Sequence, residues 1–293
     1  MKMRLKIAVL CCVLAAFVIS GCARRAGRPS SGVQVKGSDT MVSLAQAWAE
    51  EFMKQNLTIR VAVTGGGSGT GIAALINGTT DIATASREMK QEEIDQAKKA
   101  GRDPKEFPVA IDAIVVAVNP KNPVGKLTID QLSGIYTGKI TNWSQVGGPN
   151  RRIVALSREK NSGTHVYFLE HVLRKGNAKG REQFAPNVLM LPSSQTVGDE
   201  VAGNVGAIGY FGLGWLDRAK HKAVAVANTS TGPYVSPTEK TAASGEYPIS
   251  RKLYLYTAKE PAGSVKEFVD FALSEAGQKI VADQEFVPLK KVK

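Results

Sequence analysis

Three short segments rich in glycine, serine and threonine have the residue types that bind a small oxyanion. They occupy residues 37–41 (GSDTM), 67–71 (GSGTG) and 158–164 (REKNSGT). Each follows a predicted strand and precedes a predicted helix, so its backbone N–H groups and the positive end of the helix dipole favour an anion. Hydroxyl groups add neutral donors, and glycine lets the backbone approach closely. Three such loops that converge would bind an oxyanion mostly without full positive charges.

Helix capping is the alternative interpretation of each loop taken singly, because Ser, Thr and Gly are ordinary N-cap residues. Three such loops in one chain, one of them with an arginine, favour a binding site. Arg158 would supply the full positive charge, and the fork of its guanidinium group suits a tetrahedral oxyanion.

The known catalytic and nucleotide motifs fit poorly. The glycine run at 65–71 is followed by Ile72 rather than by the Lys-Ser/Thr of a Walker loop, and its last three glycines are two residues apart rather than spaced as G-x-G-x-x-G. Ser157 and Lys160 match S-x-x-K without the companion motifs of that class. The three histidines lack zinc-like spacing and cysteine partners. We therefore expect a protein that is not an enzyme and has no cofactor and no metal site.

Residues 1–21 have the pattern of a bacterial lipoprotein signal peptide. Three basic residues precede an apolar run at 7–18, which is too short to span a bilayer. Small residues directly before Cys22 resemble the lipobox, in which the cysteine receives a diacylglyceryl group before cleavage. An ordinary signal peptide with an incidental cysteine is the alternative. We expect an exported lipoprotein, membrane-anchored through Cys22, in the periplasm or on the outer face of the cell membrane.

The composition of the remaining chain limits its chemistry. Two of the three cysteines lie in the signal peptide, so the folded body has no disulfide and no thiolate. The full chain has a net charge of +12, and the three basic residues of the signal peptide leave +9 on the rest, which favours anionic partners or an anionic membrane surface. Residues 22–32 are polar and rich in turn-forming residues, which predicts a flexible tether. No nucleic-acid motif and no second membrane span are present in the sequence.

Strand and helix patterns alternate from residue 33 onward, which predicts α/β layers. The predicted strands are 34–36, 58–63, 81–85, 111–118, 152–156, 205–210, 223–226 and 253–256. The predicted helices are 44–52, 72–76, 92–99, 165–173 and 265–273, with a short one near Pro237. A chain of this length suits two lobes joined by two crossovers.

The order and spacing of several segments resemble the phosphate-binding proteins of bacterial phosphate ABC transporters, the PstS-like family. Besides the three loops, the resemblance rests on 81–87 (DIATASR), on a signature within 127–148, on 206–210 (GAIGY) and on 247–256. It extends over nearly the whole chain after residue 33.

The resemblance implies a two-lobed periplasmic-binding-protein fold of type II, with two mixed sheets flanked by helices and a ligand cleft between the lobes. Lobe 1 would comprise residues 33–117 and 252–293, and lobe 2 residues 118–251. The signature within 127–148 would be scaffold.

The resemblance also implies the role of each site residue. The phosphate ligands would be the Thr40 hydroxyl, the Met41 backbone N–H, Ser68, Arg158, Ser162, the Gly163 backbone and Thr164. The best-known members carry an aspartate after the third strand, which accepts the proton that phosphate retains and sulfate lacks. Here that position falls at Ser86 or Arg87. Ser86 would add a hydroxyl, and Asp39 is the candidate proton acceptor.

The function implied is that of a monomeric, lipid-anchored receptor that captures inorganic phosphate and delivers it to the permease of an ABC transporter. Three alternatives stay open at this point. One is a receptor for sulfate, molybdate or tungstate, another is a hydrolase of phosphate esters, and the third is an adhesion or signalling module that retains the fold.

Overall fold

A computed structural model describes residues 31–177 and 179–289 of the chain. The predicted signal peptide, Cys22 and the first part of the predicted tether lie outside the described residues. Within them, no helix combines the length and apolarity that a membrane crossing needs. Ser31 and Gly32, which the sequence assigned to the tether, belong to the first strand, where they pair with Ile59 and Arg60.

Strands and helices alternate along most of the chain. The strands are β1 (Ser31–Gly37), β2 (Ile59–Thr64), β3 (Ile82–Ala85), β4 (Lys105–Val118), β5 (Lys126–Thr128), β6 (Val154–Arg158), β7 (Leu189–Leu191), β8 (Ala207–Gly212), β9 (Lys222–Ala223), β10 (Ala225–Ala227) and β11 (Ser250–Thr257). The α-helices are α1 (Val42–Gln55), α2 (Ser68–Asn77), α3 (Gln91–Lys99), α4 (Ile129–Tyr136), α5 (Gly163–Phe168), α6 (Ser194–Gly203), α7 (Glu239–Ala243), α8 (Gly263–Leu273) and α9 (Glu275–Asp283). Short 3₁₀ turns span Asp39–Met41, Trp143–Val146 and Leu213–Trp215, and a π-helical turn spans Leu169–Leu173.

One long strand, β4, joins the two halves of the sheet. The strand order is β2-β1-β3-β11-β4-β8-β6-β7, with β9 beside β4 and a separate β5–β10 pair. The first part of β4 pairs antiparallel with β11, and its last five residues pair antiparallel with β8. The pairs β1–β2, β1–β3 and β6–β8 are parallel. The predicted α/β fold with mixed sheets is confirmed, and β4 connects the two predicted sheets into one path.

The hydrophobic core divides at the middle of β4. Trp48 and Phe268 belong to a cluster under α1, α8 and α9, and a smaller cluster lies on the other face of the same strands. Tyr210 belongs to a third cluster, built on β6, β8 and α4–α6. β4 contributes Val109 to the first cluster and Ala113 to the third. We use lobe 1 for β1–β3, α1–α3, α8 and α9, and lobe 2 for β5–β10 and α4–α7. The residue boundaries proposed for the lobes stay a prediction.

Several elements differ from the sequence prediction for identifiable reasons. The strand predicted at 223–226 is two short strands, because Lys222–Ala223 pairs with β4 whereas Ala225–Ala227 pairs with β5. The strand β7 and the helix α6 were missed, since 189–203 has neither a clear alternation nor strong helix formers. Packing of Val197 and Val201 in the core of lobe 2 stabilises α6 instead.

Candidate functional site

The first predicted loop presents a buried hydroxyl at the end of β1. Thr40 lies in the 3₁₀ turn Asp39–Met41 and is 1% exposed. The turn uses the Met41 N–H internally, since this group donates to the Ser38 carbonyl at 3.1 Å. The resemblance assigned that N–H to the anion, so the structure places it differently. The Ser38 hydroxyl, which sequence reasoning passed over, is buried and has no partner among the described residues.

The second loop places Ser68 at the first turn of α2. Gly67, the preceding N-cap, has a φ of +97°, a conformation that favours glycine. The Ser86 N–H donates to the Ser68 hydroxyl at 3.0 Å, and the two hydroxyl oxygens are 3.3 Å apart. Both side chains are buried. Ser86 therefore belongs to the same hydroxyl cluster as Ser68, and its contact with the anion stays a prediction.

The third loop brings lobe 2 against these hydroxyls. Ser162 is the N-cap of α5, and its oxygen accepts from the N–H groups of Thr164 and His165 at 3.2 and 3.4 Å. The Thr164 and Thr40 hydroxyl oxygens are 2.9 Å apart. A Cβ at Gly163 would overlap the Ser68 hydroxyl, so glycine is required for this close approach. Hydroxyls of both lobes thus meet at the start of α5.

Arg158, the last residue of β6, is buried beside them. Its Nη1 donates to Asp39 Oδ2 at 2.8 Å and to the Ser194 hydroxyl at 3.0 Å, and its Nη2 donates to the Pro192 carbonyl at 2.8 Å. Burial lowers the pKa of Arg158, and the Asp39 charge opposes that effect. Asp39 also accepts the Ser194 N–H at 2.7 Å. The candidate proton acceptor therefore forms an ion pair that joins the two lobes.

A second buried arginine lies at the point where β4 and β11 pass between the lobes. Arg251 donates to Asp112 Oδ2 through Nε at 3.1 Å and through Nη2 at 2.9 Å. The same Nη2 is 3.0 Å from the Thr164 hydroxyl oxygen. Burial raises the pKa of Asp112, and the Arg251 charge opposes that effect. Sequence reasoning missed this pair, although an acidic residue inside the apolar run 111–118 is a signal of a buried, paired charge.

Two further residues that sequence reasoning missed hold the lobes together. Asn161 donates from its side chain to the Gly66 carbonyl at 2.8 Å and accepts the Gly69 N–H on its own carbonyl at 2.9 Å. Trp215 donates its indole N–H to the Thr40 carbonyl at 3.1 Å. The glycine run at 65–71 therefore has a second role, because its exposed backbone binds the opposite lobe.

A serine and a histidine in contact elsewhere in lobe 2 raise the question of catalysis. The Ser157 hydroxyl oxygen is 3.1 Å from His165 Nδ1 and 2.6 Å from the Tyr210 hydroxyl. Ser157 and Tyr210 are fully buried. Burial lowers the pKa of His165 to about 4, which keeps it neutral near pH 7. Across residues 31–177 and 179–289, no group of three or more His, Cys, Asp and Glu residues could hold a metal ion.

The fold and site define a class: a two-lobed α/β binding protein whose buried hydroxyls and paired arginines converge between the lobes. A family model described as the PBP superfamily domain matches residues 23–276. The chain belongs to this superfamily and, within it, to the PstS-like phosphate-binding proteins.

Individual relatives agree with that placement. The phosphate-binding protein PstS of Bacillus subtilis is 34% identical, over 91% of this chain and 83% of that protein. A structure from Clostridium perfringens, solved with bound phosphate, is 34% identical with a TM-score of 0.79 and covers 88% of this chain and 100% of its own. An ABC-type phosphate transport receptor of Vibrio cholerae is 31% identical with a TM-score of 0.69, covering 87% of this chain and 99% of its own.

Proposed function

We propose that this chain is a lipid-anchored receptor that binds inorganic phosphate between its lobes and delivers it to an ABC permease. The observation that carries the proposal is the convergence of the Thr40, Ser68, Ser86 and Thr164 hydroxyls from both lobes around Gly163, with Arg158 held by Asp39, the neighbour of Thr40. A tetrahedral oxyanion has acceptors in every direction, and donors arranged around one point satisfy them. The phosphate-binding relatives support phosphate as the anion.

The charges of the site are already balanced before an anion binds. Arg158 is paired with Asp39 and Arg251 with Asp112. The anion therefore enters a site of little net charge and gains its affinity from hydrogen-bond donors. Hydrogen bonds to a charged group contribute more than neutral ones, about 1.5–3 kcal/mol each. Such a site needs no catalytic group, which suits a transport receptor.

Closure of the lobes around the anion is the proposed working step. The contacts of Asp39 with Arg158 and of Asn161 with Gly66 cross between the lobes and exist only when these are together. β4 and β11 form the two crossovers on which the lobes would move. On β4 the change of core falls between Ala110 and Ala113, earlier than the boundary at 117/118 expected from the sequence, and on β11 the proposed boundary is near 251/252. A closed receptor differs in shape from an open one, so a permease can recognise the loaded form.

Calorimetry tests the proposed ligand directly. The full chain, purified in detergent and freed of endogenous anion, is titrated with phosphate, arsenate and sulfate. We expect saturable binding of phosphate and arsenate at one site. Arg158→Ala should weaken phosphate binding about 10–100-fold, since it removes charge-assisted hydrogen bonds. The exposed Arg181→Ala is the matched control. Unchanged affinity in Arg158→Ala would sink the site assignment.

Lipid anchoring is tested separately, because Cys22 lies outside the described residues. In cells, Cys22→Ser should move the protein from the membrane fraction to the soluble fraction and abolish labelling by a fatty-acid analogue. Retention of the label would contradict the proposed lipidation at this cysteine.

Another oxyanion receptor is the second candidate, and Ser86 is the observation that favours it. A serine in place of the expected aspartate removes the acceptor that would reject a fully deprotonated anion such as sulfate. Competition of sulfate, molybdate and tungstate against bound phosphate decides between the two. Displacement of phosphate by sulfate at equal concentration would favour this candidate.

A further inference from the structure

Arg251 holds a position that no assigned anion ligand shares, because it contacts hydroxyls of both lobes at once. It lies opposite Asp112 in the β4–β11 ladder, where the two strands change lobes. Its Nη2 is 3.0 Å from the Thr164 oxygen of lobe 2 and 3.4 Å from the Thr40 oxygen of lobe 1. Arg251 is 5% exposed and Asp112 is fully buried, so the guanidinium is held in place behind the two hydroxyls.

The direction of these hydrogen bonds determines what the hydroxyls can do. A guanidinium group only donates, so the Thr40 and Thr164 oxygens are its acceptors. Each hydroxyl then directs its own hydrogen away from Arg251. A hydroxyl that accepts from a cation is polarised and becomes a stronger donor to a third group. The Thr40 and Thr164 oxygens are 2.9 Å apart, so in this structure one hydroxyl donates to the other. Both can turn their hydrogens toward an oxyanion that lies beside them, on the side away from Arg251.

One nitrogen of the Arg251 guanidinium has no acceptor in the part of the chain that the structure describes. Nη1 of Arg251 is buried and has no hydrogen-bond partner among the described residues. An unpartnered buried donor is costly, and structures rarely keep one without a reason. The position of the guanidinium charge is fixed, because Asp112 accepts hydrogen bonds from both Nε and Nη2.

We propose that Arg251 is a positioning residue for anion recognition, which orients the Thr40 and Thr164 hydroxyls as donors toward the bound oxyanion. Asp112 fixes the guanidinium in that position. The inference rests on the proposed function and adds a second arginine to it. The pair also links recognition to closure, since Thr40 and Thr164 share Arg251 only when the lobes are together.

A double-mutant cycle distinguishes this role from a purely structural ion pair. Arg251→Lys keeps the charge beside Asp112 but loses the Nη2 group that reaches both hydroxyls. Thr164→Val removes the hydroxyl without changing the side-chain shape. Ser68→Ala is the matched background, since Ser68 has no contact with Arg251 among the described hydrogen bonds. Phosphate affinity is measured by calorimetry on the full chain, and Arg102→Lys, remote from the site, controls for the substitution itself.

We expect Arg251→Lys to weaken phosphate binding about tenfold in the natural and Ser68→Ala backgrounds, but only about threefold in Thr164→Val, where Arg251 still contacts Thr40. The same factor in all three backgrounds, or no loss at all, would overturn the inference. Should Arg251→Lys fail to fold, Arg251→Gln with Asp112→Asn, which leaves no buried charge, replaces it with the same expectation.

Failure of the proposed function gives a result different from failure of the role proposed for Arg251. If the natural chain does not bind phosphate, that function is wrong, whatever the variants do. If it binds sulfate instead, the same cycle is measured with sulfate and still decides the role of Arg251.

Discussion

Each buried arginine at the junction of the lobes has a carboxylate partner. Arg158 is 2.8 Å from Asp39, and Arg251 is 2.9 Å from Asp112. An uncompensated buried cation would be strongly destabilising without a ligand, so the pairs keep the protein stable before an anion arrives. Discrimination between anions then depends on the neutral groups around them. Ser86 is the most informative of these, because its hydroxyl can accept as well as donate.

Substitution of Ser86 tests how the site distinguishes phosphate from sulfate. Ser86→Asp introduces a carboxylate beside the Ser68 hydroxyl. This carboxylate accepts a hydrogen bond from the P–OH group of hydrogen phosphate but repels sulfate, which has no proton to donate. We expect sulfate affinity to fall about 100-fold or more, with a smaller effect on phosphate. The neutral Ser86→Asn, of similar size, should give a smaller difference between phosphate and sulfate affinity than Ser86→Asp does. Competition titration measures both, and equal losses for phosphate and sulfate in Ser86→Asp would contradict the account.

The pKa of His165 predicts how the free energy of unfolding depends on pH. Its pKa is about 4 in the folded protein against 6.5 for the unperturbed group. The unfolded chain therefore binds more protons between these values. The contribution of neutral His165 is fully present above pH 6.5 and is lost as the pH falls toward 4, by roughly 3 kcal/mol at most. Denaturant unfolding of the natural chain and of His165→Gln across this range should diverge, whereas the exposed His171→Gln should follow the natural chain.

At the scale of elements, short segments between strands and helices position the hydroxyl groups. The turn Asp39–Met41 follows β1, α2 begins at Ser68, and α5 begins directly after its cap, Ser162. Each hydroxyl thus lies where a strand gives way to a helix or turn, and its position is fixed by the register of the sheet. The two helix starts orient backbone dipoles toward the same region.

Ser162 caps α5 and, under the proposed function, would also contact the anion. Ser162→Ala removes the oxygen that accepts two N–H groups, and loss of such a cap costs about 1 kcal/mol. Ser274→Ala removes the cap of α9 in lobe 1, where Ser274 accepts the Gly277 N–H. Both variants should lose similar stability in denaturant unfolding, but only Ser162→Ala should bind phosphate more weakly. Equal phosphate affinity in the two would remove Ser162 from the site.

The sequence predicted the elements that carry a strong local signal and missed those that depend on tertiary packing. The hydroxyl loops were found because glycine, serine and threonine before a helix are a local pattern, and 67–71 and 158–164 do flank one region. Arg251 and Asp112 were not found, because their pairing across β4 and β11 depends on the register of two strands far apart in sequence. Ser194 was missed with α6, whose sequence has little helix propensity.

At the scale of the whole molecule, the chain changes lobes at β4 and β11, which places the proposed site in the cleft between the lobes. Contacts across the cleft come from Asp39, Thr40 and the glycine run on one side, and from Arg158, Asn161 and Thr164 on the other. A ligand that binds only the closed form stabilises it. Under the proposed function, a cleft contact such as that of Asn161 with Gly66 would therefore contribute to affinity without touching the anion.

Asn161 offers a test of that coupling. Asn161→Ala removes the side-chain hydrogen bond to the Gly66 carbonyl across the cleft, so the closed form is less stable. We expect phosphate affinity to fall about 3–10-fold through faster release rather than slower binding. The exposed Asn187→Ala in lobe 2 is the control. Stopped-flow measurement of the rates of phosphate binding and release tests this expectation. An unchanged release rate in Asn161→Ala would show that this contact does not support closure.

The most direct test of the central claim is a crystal structure of the full chain grown with phosphate. The account predicts one tetrahedral anion within hydrogen-bond distance of Thr40 and Ser68 from lobe 1 and of Arg158 and Thr164 from lobe 2. An anion bound elsewhere, or contacts from one lobe alone, would contradict it.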